Sequence, residues 1–129
     1  MFASYFIMEV MILEKILLVV LGFIGADVVT GLASAWLTHT VSSTKMRAGV
    51  QHKAGELLGM AAMVGIDYSM PLIEVPMPFS FTKVLAAYLV VMETISIFEN
   101  IIELNPDLSG PLGKLLGSIK EVLGNNGKD

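Results

Sequence analysis

The residues most able to do chemistry in this chain are acids set inside apolar stretches. Asp27 stands near the middle of the apolar run Ile16–Thr38. A charge at bilayer depth costs roughly 2.5–3.5 kcal/mol on insertion scales, and it is kept where it faces a partner helix, a cavity or water. Thr30, Gly31, Ser34 and Thr38 follow it at i+3, i+4, i+7 and i+11, so one helix face is small and polar. Such a face can line a water path or seat a second helix; the plainer reading is one buried, hydrogen-bonded acid that serves packing. A second stripe, Glu93, Ser96, Glu99, Asn100 and Glu103, repeats the pattern later in the chain. Asp67 and Lys83 are placed so that they could meet, although Lys83 can equally snorkel to headgroups. Glu56 reads as interfacial. Lys83 is the only base inside a predicted span, so Asp27 is expected to be neutralised or hidden at helix contacts.

Other chemistries are not supported. Cys is absent, which removes thiol nucleophiles, thiolate metal sites and disulfides. No Ser/His/Asp set and no phosphate-cradling glycine loop is present; no His joins the carboxylates of the Glu93 stripe, and His39 and His52 flank a loop and read as solvated. The reading is therefore no enzyme, no metal and no cofactor. A net charge of −4 gives no nucleic-acid footprint. Gly55 and Gly59 form a GxxxG, with Gly65 beyond, and small residues let membrane helices approach closely. The nine Met residues suit adaptable packing.

These side chains need elements to hold them. Of 129 residues, 54% are hydrophobic and 16% charged, with a mean hydropathy of +0.73; an average soluble domain has about 25% charged residues. Three apolar segments, 16–38, 54–73 and 79–104, each approach the roughly 20 residues that cross a bilayer as helix. The expected fold is an all-α membrane protein of three transmembrane helices. Residues 1–15 form an N-terminal segment on the outer surface. Ala33-Ser34-Ala35 resembles a signal-cleavage site, but Glu9, Glu14 and Asp27 do not suit a cleaved signal. The link from Thr38 to Lys53 holds Lys45, Arg47 and Lys53 and no acid, whereas the link around Glu74 and Pro76 holds no base. The positive-inside rule then puts the basic loop and the C-terminus in the cytoplasm and the N-terminus outside. Past Pro106 and Gly110-Pro111, which end the third helix, residues 105–129 form a tail. There Leu112, Leu115, Leu116, Ile119 and Leu123 share one face of an amphipathic helix that can lie on the inner membrane surface or pack on protein. NNGKD closes the chain as a frayed terminus.

Several phrases combine into one pattern. Asp27-Val28-Val29-Thr30-Gly31 is followed by Ser43, Lys45, Met46, Gly49 and Lys53, then by Asp67, and finally by Glu93-Thr94-Ile95-Ser96-Ile97-Phe98-Glu99-Asn100. From about Lys15 to Lys114 this order resembles the phage-lysis and toxin-secretion holin family, with Met92 where that family often has Asn. The resemblance implies a homo-oligomer in the host cytoplasmic membrane that permeabilises it. It also implies endolysin or a toxin as released cargo, and an antiholin as a partner of the same architecture. Two other functions fit the residues. One is a holin antagonist, for which Met8 and Met11 offer internal starts. The other is a subunit of a small proton-linked transporter using Asp27, Asp67 and Glu93 as relay acids. Expression with membrane potential and substrate flux followed together separates them.

Overall fold

A computed structural model describes residues 1–125. Residues 126–129, the end of the NNGKD terminus, lie outside the described residues. The chain forms α1 (Phe2–Leu37), α2 (Ser43–Leu72), α3 (Phe81–Leu104), a 3-10 turn (Pro106–Leu108) and α4 (Ser109–Asn125), with no strand among the described residues.

Each boundary has a local cause. No Gly occurs before Gly22 and no Pro before Pro71, so nothing in the first half of α1 breaks the helix. The outer segment expected over 1–15 is accordingly continuous with the first span. α1 ends where Thr40 N–H donates to the Ala35 carbonyl at 2.8 Å and His39 N–H to that of Trp36 at 3.3 Å. His39 sits at φ 55°, the left-handed position of a Schellman ending usually held by glycine. α2 ends the same way, with Val75 N–H donating to Met70 O and Glu74 at φ 59°. Ser42 and Ser80 cap α2 and α3, accepting from the amides of Lys45 and Lys83. Asn105 and Pro106 end α3. Gly110 and Pro111 lie inside the first turn of α4 rather than ahead of it, as proline's fixed φ allows at a helix start.

α1 and α3 pack together most extensively, α2 leans on α3, and α1 and α2 barely touch. α1 and α3 run parallel: Asp27 meets Asn100 and Ser34 meets Glu103, while Ile12 and Ala86 line one groove further back. α2 therefore runs back between them. The core is small, with Val20, Ile24, Met60, Ala86 and Leu89 buried and Ile16, Leu17, Leu85 and Val90 around it. Meanwhile Leu18, Val29, Leu32, Val84 and Tyr88 are exposed. A soluble bundle hides such a surface.

Two helices are long and apolar enough to cross a membrane, Ala3–Leu37 and Phe81–Leu104. The three expected from sequence are not met. α2 fails because its first turns, from Ser43, hold Lys45, Arg47, His52 and Lys53 and its apolar remainder still carries Glu56 and Asp67; the basic loop is a helix. α4 folds back on α3, with Leu116 buried and Lys120 Nζ donating to Glu99 Oε1 at 2.9 Å.

Candidate functional site: a polar cluster between three helices

Lys53 is the centre. α2 carries its ammonium to 2.9 Å from Asp27 Oδ2 on α1 and to 2.5 Å from both Glu93 oxygens on α3. Glu56 Oε2, one turn along α2, lies 3.4 Å away, and its other oxygen meets His52 Nε2 at 3.0 Å. The Glu93 side chain is 2% exposed, that of Glu56 8%, and those of Lys53 and Asp27 15% and 16%. One cation thus faces three carboxylates from three helices. Removing charges from water is costly, and close pairing with added hydrogen bonds is what offsets it.

A second layer fixes Asp27. Asn100 Nδ2 on α3 donates to Asp27 Oδ1 at 3.1 Å, to the Asp27 carbonyl at 3.3 Å and to Thr30 Oγ1 at 3.1 Å. Thr30 Oγ1 in turn donates to Ala26 O at 2.8 Å. Gly31 faces the Asn100 amide, where a Cβ would stand in contact with Nδ2 at 3.4 Å and a larger side chain would press on it. One turn on, Ser34 Oγ donates to Glu103 Oε2 at 2.6 Å. The stripe Asp27, Thr30, Gly31 and Ser34 is thus a helix contact that meets the α3 stripe at Asn100 and Glu103 and is joined to Glu93 through Lys53.

The other sequence candidates separate from it. Asp67 caps α3: its carboxylate accepts from Ser80 Oγ at 2.5 Å, Phe81 N–H at 2.9 Å and Thr82 N–H at 2.8 Å. It lies 14 residues past Lys53, about 21 Å along the helix, and forms no ion pair with Lys83 among the described residues. Glu99 binds Lys120 on the exposed side. Ser96 is half-buried and has no side-chain hydrogen bond among the described residues. Lys45 and Arg47 are exposed. Of the glycines, Gly59 approaches Leu85 at 3.5 Å, but Gly55 and Gly65 face open space. The residues sequence reasoning missed are Lys53 as the partner of Asp27, and Glu56. The i,i+3 and i,i+4 spacing of Lys53 and His52 to Glu56 was the available signal.

The arrangement holds charge inside an apolar bundle. A family model described as the bacteriophage holin family matches residues 2–121. The chain belongs to the bacteriophage holin family. No curated protein and no solved structure matches it. In this holin the general role is membrane permeabilisation, and holins are a non-enzymatic class. The matched range covers α1, α2 and α3 and most of α4, so every residue of the Lys53 cluster lies inside it.

Proposed function

We propose that this holin oligomerises in the host cytoplasmic membrane and opens a lesion that releases a cytosolic muralytic enzyme or a toxin. The Lys53 cluster carries this reading. It lets an apolar-surfaced bundle insert with three carboxylates gathered on one shared ammonium, and parting the helices would turn those same charges towards water. α1 and α3 are parallel, so if both cross the membrane, α2 must return through the same depth. Its charges then travel shielded against its neighbours, which supports three crossings although α2 is not apolar enough alone. The bases of α2 favour a cytoplasmic start for that helix, hence an outer N-terminus and an inner C-terminus. The open faces of Gly55 and Gly65 offer small-residue contacts to a second copy.

Induced expression in bacteria, with membrane potential and release of a cytosolic enzyme followed together, tests the proposal. Potential and enzyme retention should collapse at the same moment. Depolarisation without enzyme release would mean a small channel, and substrate flux without cell death a transporter; either would overturn it.

A further inference from the structure

At the end of the bundle where α1 passes the α2–α3 turn, a cavity of about 610 Å³ opens to the surface. Its charged lining is Glu9, Asp67, Glu74 and Lys83. Asp67 is already consumed by the α3 amides. Lys83, Glu9 and Glu74 form no ion pair among the described residues and are exposed. Glu74 also holds the left-handed φ of 59°, which fixes the turn that forms one wall. Aromatic rings gather at this level: Phe6 packs on Tyr68 with centroids 5.8 Å apart, and Phe79 on Phe81 at 5.0 Å. Aromatic rings concentrate at membrane–water interfaces.

A second, apolar groove of about 530 Å³ begins where this cavity ends, and Ile12 lines both. Its walls include Ile16 and Val19 of α1 and Ala87, Val90 and Val91 of α3, with Lys15 as the one charged residue. The groove follows α1 and α3 towards the middle of the bundle.

We propose that the cavity and groove together bind one zwitterionic phospholipid with a primary ammonium, such as phosphatidylethanolamine. The inference rests on α1 and α3 crossing the membrane. The Lys83 ammonium meets the phosphate, Glu9 and Glu74 meet the headgroup ammonium, and one acyl chain lies in the groove. Charge decides the class. In the cavity that takes the headgroup, two free acids, Glu9 and Glu74, face one free base, Lys83, while Lys15 lies further along in the groove; a purely anionic headgroup therefore adds repulsion there, whereas a zwitterion satisfies both signs. The continuous apolar groove selects an amphiphile over a free headgroup, and Lys83 at interfacial depth keeps its own charge near water.

The test is native mass spectrometry of the purified full chain in detergent. It is titrated with short-chain phosphatidylethanolamine, phosphatidylglycerol and free phosphoethanolamine. One phosphatidylethanolamine should bind per protomer, about tenfold tighter than phosphatidylglycerol, with free phosphoethanolamine weaker still. Lys83→Gln should weaken the ethanolamine lipid about tenfold. Ala87→Phe, which fills the groove and leaves the charges alone, should weaken it comparably. Circular dichroism confirms that each variant keeps its helix content. Equal binding of the two lipids overturns the headgroup assignment, and unchanged binding in both variants overturns the site. Phosphoethanolamine binding as tightly as the lipid overturns the groove. A wild-type chain that permeabilises cells yet shows no lipid preference overturns this site alone and leaves the permeabilising role standing.

Discussion

Lys53→Met is the most informative perturbation of the cluster. The substitution keeps an unbranched stem of similar length and deletes the ammonium. Asp27 Oδ2 at 2.9 Å, both Glu93 oxygens at 2.5 Å and Glu56 Oε2 at 3.4 Å then lose their shared cation. Breaking a buried ion pair from one side costs about 3–5 kcal/mol, because an uncompensated charge is left behind. Lys53 and Asp27 keep some access to solvent, 15% and 16%, so the lower end applies, about 3 kcal/mol. That is more than about a hundredfold in the folding equilibrium. Unfolding of the purified chain in mixed micelles, followed by helical circular dichroism, measures it. Glu93→Gln alone should cost about 1 kcal/mol, as one charged hydrogen-bond acceptor becomes neutral. The double variant should cost less than the two singles together by about 1–2 kcal/mol, since the residues are in direct contact. In cells, Lys53→Met should shorten the delay before potential collapses. Additive losses within about 0.5 kcal/mol, with wild-type timing, would refute the idea that Lys53 holds the three helices through these acids.

Four further outcomes are expected. Gly31→Val should push Asn100 off Asp27 and Thr30 and destabilise the α1–α3 contact by about 2 kcal/mol in the same assay, about as much as Asn100→Ala. Asp67→Ala removes three hydrogen bonds from the start of α3; a loss of about 2 kcal/mol is expected, with faster amide exchange at Phe81–Lys83. His39→Gly relieves a left-handed residue at the α1 terminus and should raise stability by about 1 kcal/mol, read as a higher melting midpoint. Single cysteines at Ser43 and Val75, in a chain with no native Cys, report topology: an impermeant thiol reagent on intact cells should label position 75 and spare 43, and the reverse result overturns the orientation.

Periodicity made the two polar stripes readable, because i+3 and i+4 spacing fixes a helix face without knowledge of its neighbour. Asp27, Thr30 and Gly31 do meet Asn100, and Ser34 meets Glu103. Lys53 was not readable as their partner. The basic stretch before it looks like a loop by charge, yet Ser42 caps it and it propagates as helix once α2 begins. Which carboxylates Lys53 reaches depends on the rotation of three helices about their own axes, a quantity no single segment encodes. Asp67 stands out in the sequence as an acid in an apolar segment but not as a cap, since its partners are amides freed by a helix that starts 14 residues later. The first turns of α1 looked separable because Glu9, Glu14 and Lys15 interrupt the apolar pattern, but charges interrupt an apolar face without interrupting backbone hydrogen bonds.

The unbroken length of α1 has a consequence for the surrounding lipid. Its 36 residues extend about 54 Å against a hydrocarbon layer near 30 Å. The turns before Glu9 carry Tyr5, Ile7 and Met8, all exposed, beside Phe6, which packs on Tyr68, so apolar surface continues to this end of the helix. A rigid rod of this kind meets the bilayer by leaning, by standing its charged turns around Glu9, Glu14 and Lys15 clear of the hydrocarbon, or by stretching the acyl chains around it, the last at a modest elastic cost for each ångström of mismatch. That cost falls when neighbouring rods share one annulus of deformed lipid. Where the chain does stretch its lipid, elastic strain in the bilayer itself would favour crowding as surface density rises, before any side chain of one copy touches another.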